Sequence, residues 1–139
     1  MMADDDFRAE LEHLFAEYGD ALGAMDAPAT AALWAMPGLM VTDDVVGAVE
    51  SRERLAEGLA GAYPQYREQG LAAARATILE HRVLSPRLVR ALVHWDLLDA
   101  SGERVDQADF EYLLRRDPDE DAWRIHVAAL AVGELENPL

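Results

Sequence analysis

Hydrophobic residues follow two spacings along the chain, helical in the first half and alternating in the second. Phe7, Leu11, Leu14, Phe15, Tyr18, Leu22 and Met25 recur at steps of three and four and share one helical stripe. Asp4, Asp5 and Asp6 precede that stripe, where negative charge suits a helix N-terminus. The spacing predicts a first helix over about 5–24, broken by Asp26, Ala27 and Pro28. A short second helix, 29–35, is expected to carry Leu33 and Trp34 and to stop before Pro37 and Gly38. Two short strands come next, 39–42 and 45–50, with Asp43 and Asp44 as the turn between them. Ser51 then opens a third helix whose Leu55, Leu59, Ala62, Tyr63 and Tyr66 share a face. Pro64 lies inside that pattern and predicts a kink or break near Tyr63.

Beyond Gly70 the spacing shortens to near two. A long strand is expected over 72–84, turned by Ser85 and Pro86 into the stretch Arg87 to Ala131. Polar, turn-forming residues at 100–103 and 117–121 cut this stretch into three runs, the pattern of an antiparallel meander. Helices first and long antiparallel strands afterwards make an α+β arrangement, with the helices covering one face of the sheet. With no repeat, linker or low-complexity tract, the chain reads as one domain, 1–139, with its core over about 5–131.

Alternation makes register testable, because a slip of one residue exchanges the two faces. A four-residue loop at 100–103 sets Trp95 against Ala108, Val93 against Phe110 and Ala91 against Tyr112, one apolar face. Ile78 and Ala76 join it opposite Val93 and Trp95, and Arg75 meets Asp96 on the other side. Pairing Arg116 with Trp123 adds Ile125, Val127 and Ala129 to the apolar face. The opposite face then receives His94 beside Asp109, Asp96 beside Gln107, and His126 and Arg124. These groups would have to line a cavity to act as acid–base machinery, and the register turns them away from the helices. Glu80 is the one acid expected near the apolar face, opposite Ala91.

Composition narrows the function. Among 139 residues, 51% are hydrophobic, enough for a core of the size that buries roughly 70% of the unfolded surface. Twelve basic against 27 acidic residues give a net charge of −15, a field that repels nucleic acid and anionic lipid. No apolar run is long enough to span a membrane, and the start, Met1 to Phe7, is acidic rather than signal-like, so a cytoplasmic location is expected. The absence of cysteine removes disulfides, thiolate metal sites and thiol nucleophiles. His13, His81, His94 and His126 are scattered with no metal-binding spacing, and no phosphate-binding glycine loop or nucleophile elbow occurs. Neither a metal nor another cofactor is expected.

A first helix bearing Tyr18, a break at Asp26, Leu33 and Trp34, a strand, a third helix and a meander reaching Ala122, Trp123, Arg124 and Ile125 form a sequence of features. Together they resemble the nuclear transport factor 2-like superfamily, which includes the ketosteroid isomerase and SnoaL-like families. The resemblance covers about 5–131. It implies a cystatin-like α+β cone, a curved sheet wrapped around the helices with a pocket at the wide end, and a homodimer. Tyr18, followed eight residues later by Asp26, is similar to the isomerases' tyrosine that hydrogen-bonds the substrate oxyanion. Counting on places Thr42, with Asp43 next to it, where the isomerases keep their proton-shuttling aspartate. Ala108 or Asp109 falls at the second, protonated acid, and the register favours Ala108 for the inward position. One of three catalytic parts is thus retained.

Three readings are open. The first is a protein binding a small apolar molecule among Tyr18, Trp34, Met40, Thr42, Tyr63, Trp95, Phe110 and Tyr112. The second is an isomerase, cyclase or dehydratase using Tyr18 and Asp43. The third is a ligand-free dimerising module with the cone packed shut. Leu79, Leu92, Leu98 and Leu113 on the outer face favour a homodimer that would bury them.

Overall fold

The computed structural model describes residues 4–131. Met1 to Ala3, which begin the acidic start, and residues 132–139 of the expected domain lie outside the described residues.

Helix α1 (Asp4–Gly23) buries Phe7, Leu11, Leu14, Phe15 and Tyr18, the stripe read from the spacing. Gly19 lets it approach the sheet: a Cβ there would stand 2.7 Å from the Ala74 carbonyl oxygen. The chain leaves α1 through Met25 at φ 55, and Asp26 then caps α2 (Ala27–Ala31) by accepting the Ala29 N–H at 3.1 Å. The second helix is therefore earlier and shorter than expected, because Asp26 caps and Pro28 occupies its first turn rather than breaking a helix. Strand β1 (Trp34–Val41) begins at Trp34, a residue expected to be helical, and pairs with β2 (Val46–Val49) across the Asp43–Asp44 turn.

Helix α3 (Arg52–Glu68) is capped by Ser51, whose Oγ accepts the Arg54 N–H at 3.1 Å. It runs through Pro64 without the expected break. The carbonyl that Pro64 leaves unbonded is that of Ala60, an exposed residue, so water can serve it.

The remaining strands are β3 (Ala73–Ser85), β4 (Leu88–Leu98), β5 (Arg104–Arg116) and β6 (Trp123–Ala131). They form a six-stranded sheet in the order β2-β1-β6-β5-β4-β3, curved and unclosed. The meander pairs are antiparallel, whereas β1 meets β6 in parallel. Trp95–Ala108, Val93–Phe110, Ala91–Tyr112, Ile78–Val93, Ala76–Trp95, Arg75–Asp96 and Arg116–Trp123 all pair in the expected register. At the β4–β5 hairpin Asp99 accepts N–H groups from Ser101 and Glu103 at 2.9 and 3.0 Å, which fixes the loop.

The meander pairings carry four register shifts, at Leu79 and Leu84 on β3, Val105 on β5 and His126 on β6. Leu79 is an extra residue on β3, so Glu80 pairs with Leu92 rather than Ala91 and is exposed, while His81 takes the place opposite Ala91. The His81 Nε2 is buried there with no hydrogen-bond partner. On β6 the extra residue is His126, so Tyr112 pairs with Ala128 and Phe110 with Leu130. Ala128 is buried in place of the expected Val127 and Ala129.

Candidate functional site

Between the inner face of the sheet and helices α1 and α3 lies a cavity of about 750 Å³. Alternation brings Trp95 and Leu97 of β4 and Ala108, Phe110 and Tyr112 of β5 to its wall, and the β6 bulge adds Ala128. Helix α1 supplies Tyr18 and Leu22, and α3 supplies Leu55, Leu59 and Tyr66. Met40 and Thr42 close the β1 side, and Arg54 and Glu50 are the charged residues of the wall, both exposed. The wall is therefore largely apolar, with few fixed polar groups, as small-molecule pockets generally are.

Tyr18, Met40, Thr42, Trp95, Phe110 and Tyr112 thus meet around one space. Trp34 and Tyr63, expected beside them, do not line it. Trp34 opens β1 rather than ending a helix and is fully buried behind the wall, where its indole N–H donates to the Tyr18 hydroxyl at 3.0 Å. Tyr63 is 5% exposed and its hydroxyl is buried without a partner. Asp43 sits exposed in the β1–β2 turn, whose N–H groups of Asp44 and Val45 donate to the Thr42 Oγ1. Glu50, Arg54, Leu22 and Leu97 also line the cavity and were not among the expected wall residues. The helical face of Leu55 and Leu59 held a signal for α3's contribution, but Glu50 and Arg54 lie at a helix start whose tilt the spacing does not encode.

The two tyrosine hydroxyls carry the site's electrostatics. Burial pushes the Tyr18 phenol up to about 12, only partly offset by the Trp34 N–H. Burial likewise holds Tyr112 well above the usual phenol range. Its oxygen accepts the Trp95 indole N–H at 2.8 Å. Both phenols are neutral donors at any ordinary pH.

The outward face carries a separate polar chain. The His94 Nδ1 stands 2.6 Å from Asp109 and its Nε2 3.1 Å from Asp96, which also accepts from Arg104 at 3.3 Å. Carboxylates only accept, so satisfying both requires a proton on each ring nitrogen. Burial pushes the imidazole down, but its two carboxylate partners outweigh that and raise it. With both nitrogens engaged and the cavity on the opposite face, this group is an ionic clasp rather than acid–base machinery.

Over residues 9–132 the chain matches the family described as NTF2-like protein (DUF6841). The chain belongs to that family. No functionally curated protein matches it in sequence. Among solved structures, an NTF2-like protein with a cystatin-like fold from Novosphingobium aromaticivorans is similar at 21% identity, over 93% of this chain and 83% of that one, with a TM-score of 0.73. A Nostoc punctiforme domain of unknown function with a cystatin-like fold matches at 14% identity, over 94% and 78%, also at 0.73. A ketosteroid isomerase-like protein from Erwinia carotovora matches at 18% identity, over 88% and 92%, with a TM-score of 0.63. At these identities the likeness establishes the NTF2-like, cystatin-like α+β fold and nothing about chemistry. Among the described residues no helix is long and apolar enough to cross a membrane.

Proposed function

We propose that this NTF2-like protein binds a small, mainly apolar molecule inside its cone, with Tyr18 as the polar handle. The observation that carries the reading is the 750 Å³ cavity with Tyr18 in an otherwise largely apolar wall. A core packed shut would not leave such a space, which weighs against the ligand-free module. The isomerase reading has less support: Asp43 is an exposed turn residue, Thr42 is no base, and Ala108 stands where a second acid would be needed. Titration with N-phenyl-1-naphthylamine, whose emission rises in apolar surroundings, tests the proposal. A saturable one-site rise that is lost in Ala108→Trp supports an internal site. A rise that survives Ala108→Trp places the probe elsewhere and counts against it.

A homodimer through the outer face accompanies this reading. Leu79 is 51% exposed, Leu92 and Leu113 are half-buried, and an isologous contact would cover all three. Sedimentation at micromolar concentration tests it, and a monomer there would remove it.

A further inference from the structure

The helix that closes one side of the cavity is the least anchored helix of the fold. Of the 17 residues of α3 only Tyr63 is buried, whereas α1 buries Phe7, Leu11, Leu14, Phe15 and Tyr18. Leu55, Leu59 and Ala62 are half-buried because they face the open space of the cavity, and Tyr66 beside them is 37% exposed. Helix α3 packs chiefly against α2. Its fixed points are Tyr63 and Arg52, whose Nε donates to the Trp34 carbonyl at 3.1 Å. Between them the backbone is weak. Gly58 and Gly61 are poor helix formers, and Pro64 removes the hydrogen bond to the Ala60 carbonyl. No packing requires either glycine, since a Cβ at 58 or 61 would meet nothing within 4 Å. In α1, by contrast, Gly19 and Gly23 sit where the backbone of β3 leaves little room. Few buried apolar groups and an unsupported backbone are the marks of a segment that opens locally.

We infer that the two turns of α3 from Leu55 to Ala62 are a lid that loosens to admit the ligand and re-forms over it. This rests on the ligand-binding reading above. The exposed wall residues Val45, Glu50, Arg54 and Gly58 put the cavity's mouth between the β1–β2 hairpin and α3. A ligand passing there displaces the helix rather than the long strands, which are tied to one another along most of their length. Once the helix re-forms, Leu55 and Leu59 rest on the ligand and lose their contact with water, so binding favours the closed lid.

Amide hydrogen exchange and stopped-flow binding of N-phenyl-1-naphthylamine test this. In the free wild-type protein the amides of 58–63 should exchange at least ~100-fold faster than those of 14–18 in α1, and saturating probe should slow them. That comparison needs no variant. Gly61 does not line the cavity and has open space around it, so Gly61→Ala strengthens the helix without touching the site. The gain in helix propensity makes opening about five-fold rarer, with or without ligand. Association and dissociation rates of the probe should therefore both fall by about that factor, with Kd unchanged. Exchange at 58–63 as slow as in α1, exchange there that saturating probe leaves unchanged, or binding rates unmoved by Gly61→Ala overturns the lid and leaves the cavity reading standing. Failure of the probe to bind overturns the two together.

Discussion

The indole N–H of Trp34 donates to the hydroxyl oxygen of Tyr18 across 3.0 Å, from the start of β1 to the middle of α1. That bond fixes the ring that faces the cavity by a residue lying outside it. Tyr18→Phe leaves a buried indole donor unsatisfied, a loss of about 1–3 kcal/mol. Trp34→Phe removes the donor itself and some packing. In urea denaturation the double variant should fall short of the sum of the singles by at least ~0.5 kcal/mol, the signature of a direct contact. Additive losses would mean that the two do not share a bond.

The His94 clasp should make stability depend on pH. Its imidazole is raised above 6.5 in the folded chain, so the folded state holds the proton more tightly. The stabilisation is complete below 6.5 and is lost as pH rises through the raised folded value. Thermal melts of wild type minus His94→Gln should show a difference that shrinks upward from pH 6.5. A difference that grows with pH contradicts the charged clasp.

Asp109 is the sharper test of that face. It is 3% exposed and paired with His94, so Asp109→Ala leaves a half-buried imidazolium with one partner. A loss of about 3–5 kcal/mol is expected for breaking a buried pair, reduced toward ~2 by the 24% exposure of the histidine side chain. Denaturant midpoints read it directly.

Gly19→Ala should destabilise even though alanine favours helices. Helix propensity gains about 1 kcal/mol. Against this, the new methyl would meet the Ala74 carbonyl oxygen at 2.7 Å, a backbone atom that moves only with the strand. Overpacking of this kind costs about 1–3 kcal/mol, so a net loss is expected in equilibrium unfolding.

Alternation and turn chemistry made much of this architecture legible. From Leu97–Asp106 onward, past a shift at Val105 beside the Ala100–Glu103 loop, the β4–β5 pairing follows the expected register, and with it come the inward Trp95, Ala108, Phe110 and Tyr112 and the outward His94 and Asp109. The bulges were not legible, since an extra residue at Leu79 or His126 leaves the composition of its strand unchanged. They reversed Glu80 and His81 and exchanged Val127 for Ala128. Trp34 misled for a different reason: its run of small apolar neighbours suits a helix, while pairing with Ile125 makes it the start of a strand. Tertiary pairing overrode local preference there, and it moved the residue from the expected wall to the layer behind it.

Binding inside the cone has its plainest test in ligand-dependent thermal stability. A panel of small apolar ketones, aromatics and polycyclic compounds should contain one that raises the melting temperature of wild type by several degrees. At a concentration 100 times its dissociation constant such a ligand adds about 2.7 kcal/mol. That shift should shrink in Tyr18→Phe and vanish in Ala108→Trp, where the indole fills the cavity. A shift that persists in Ala108→Trp, or a panel that leaves wild type unmoved, would contradict binding inside the cone.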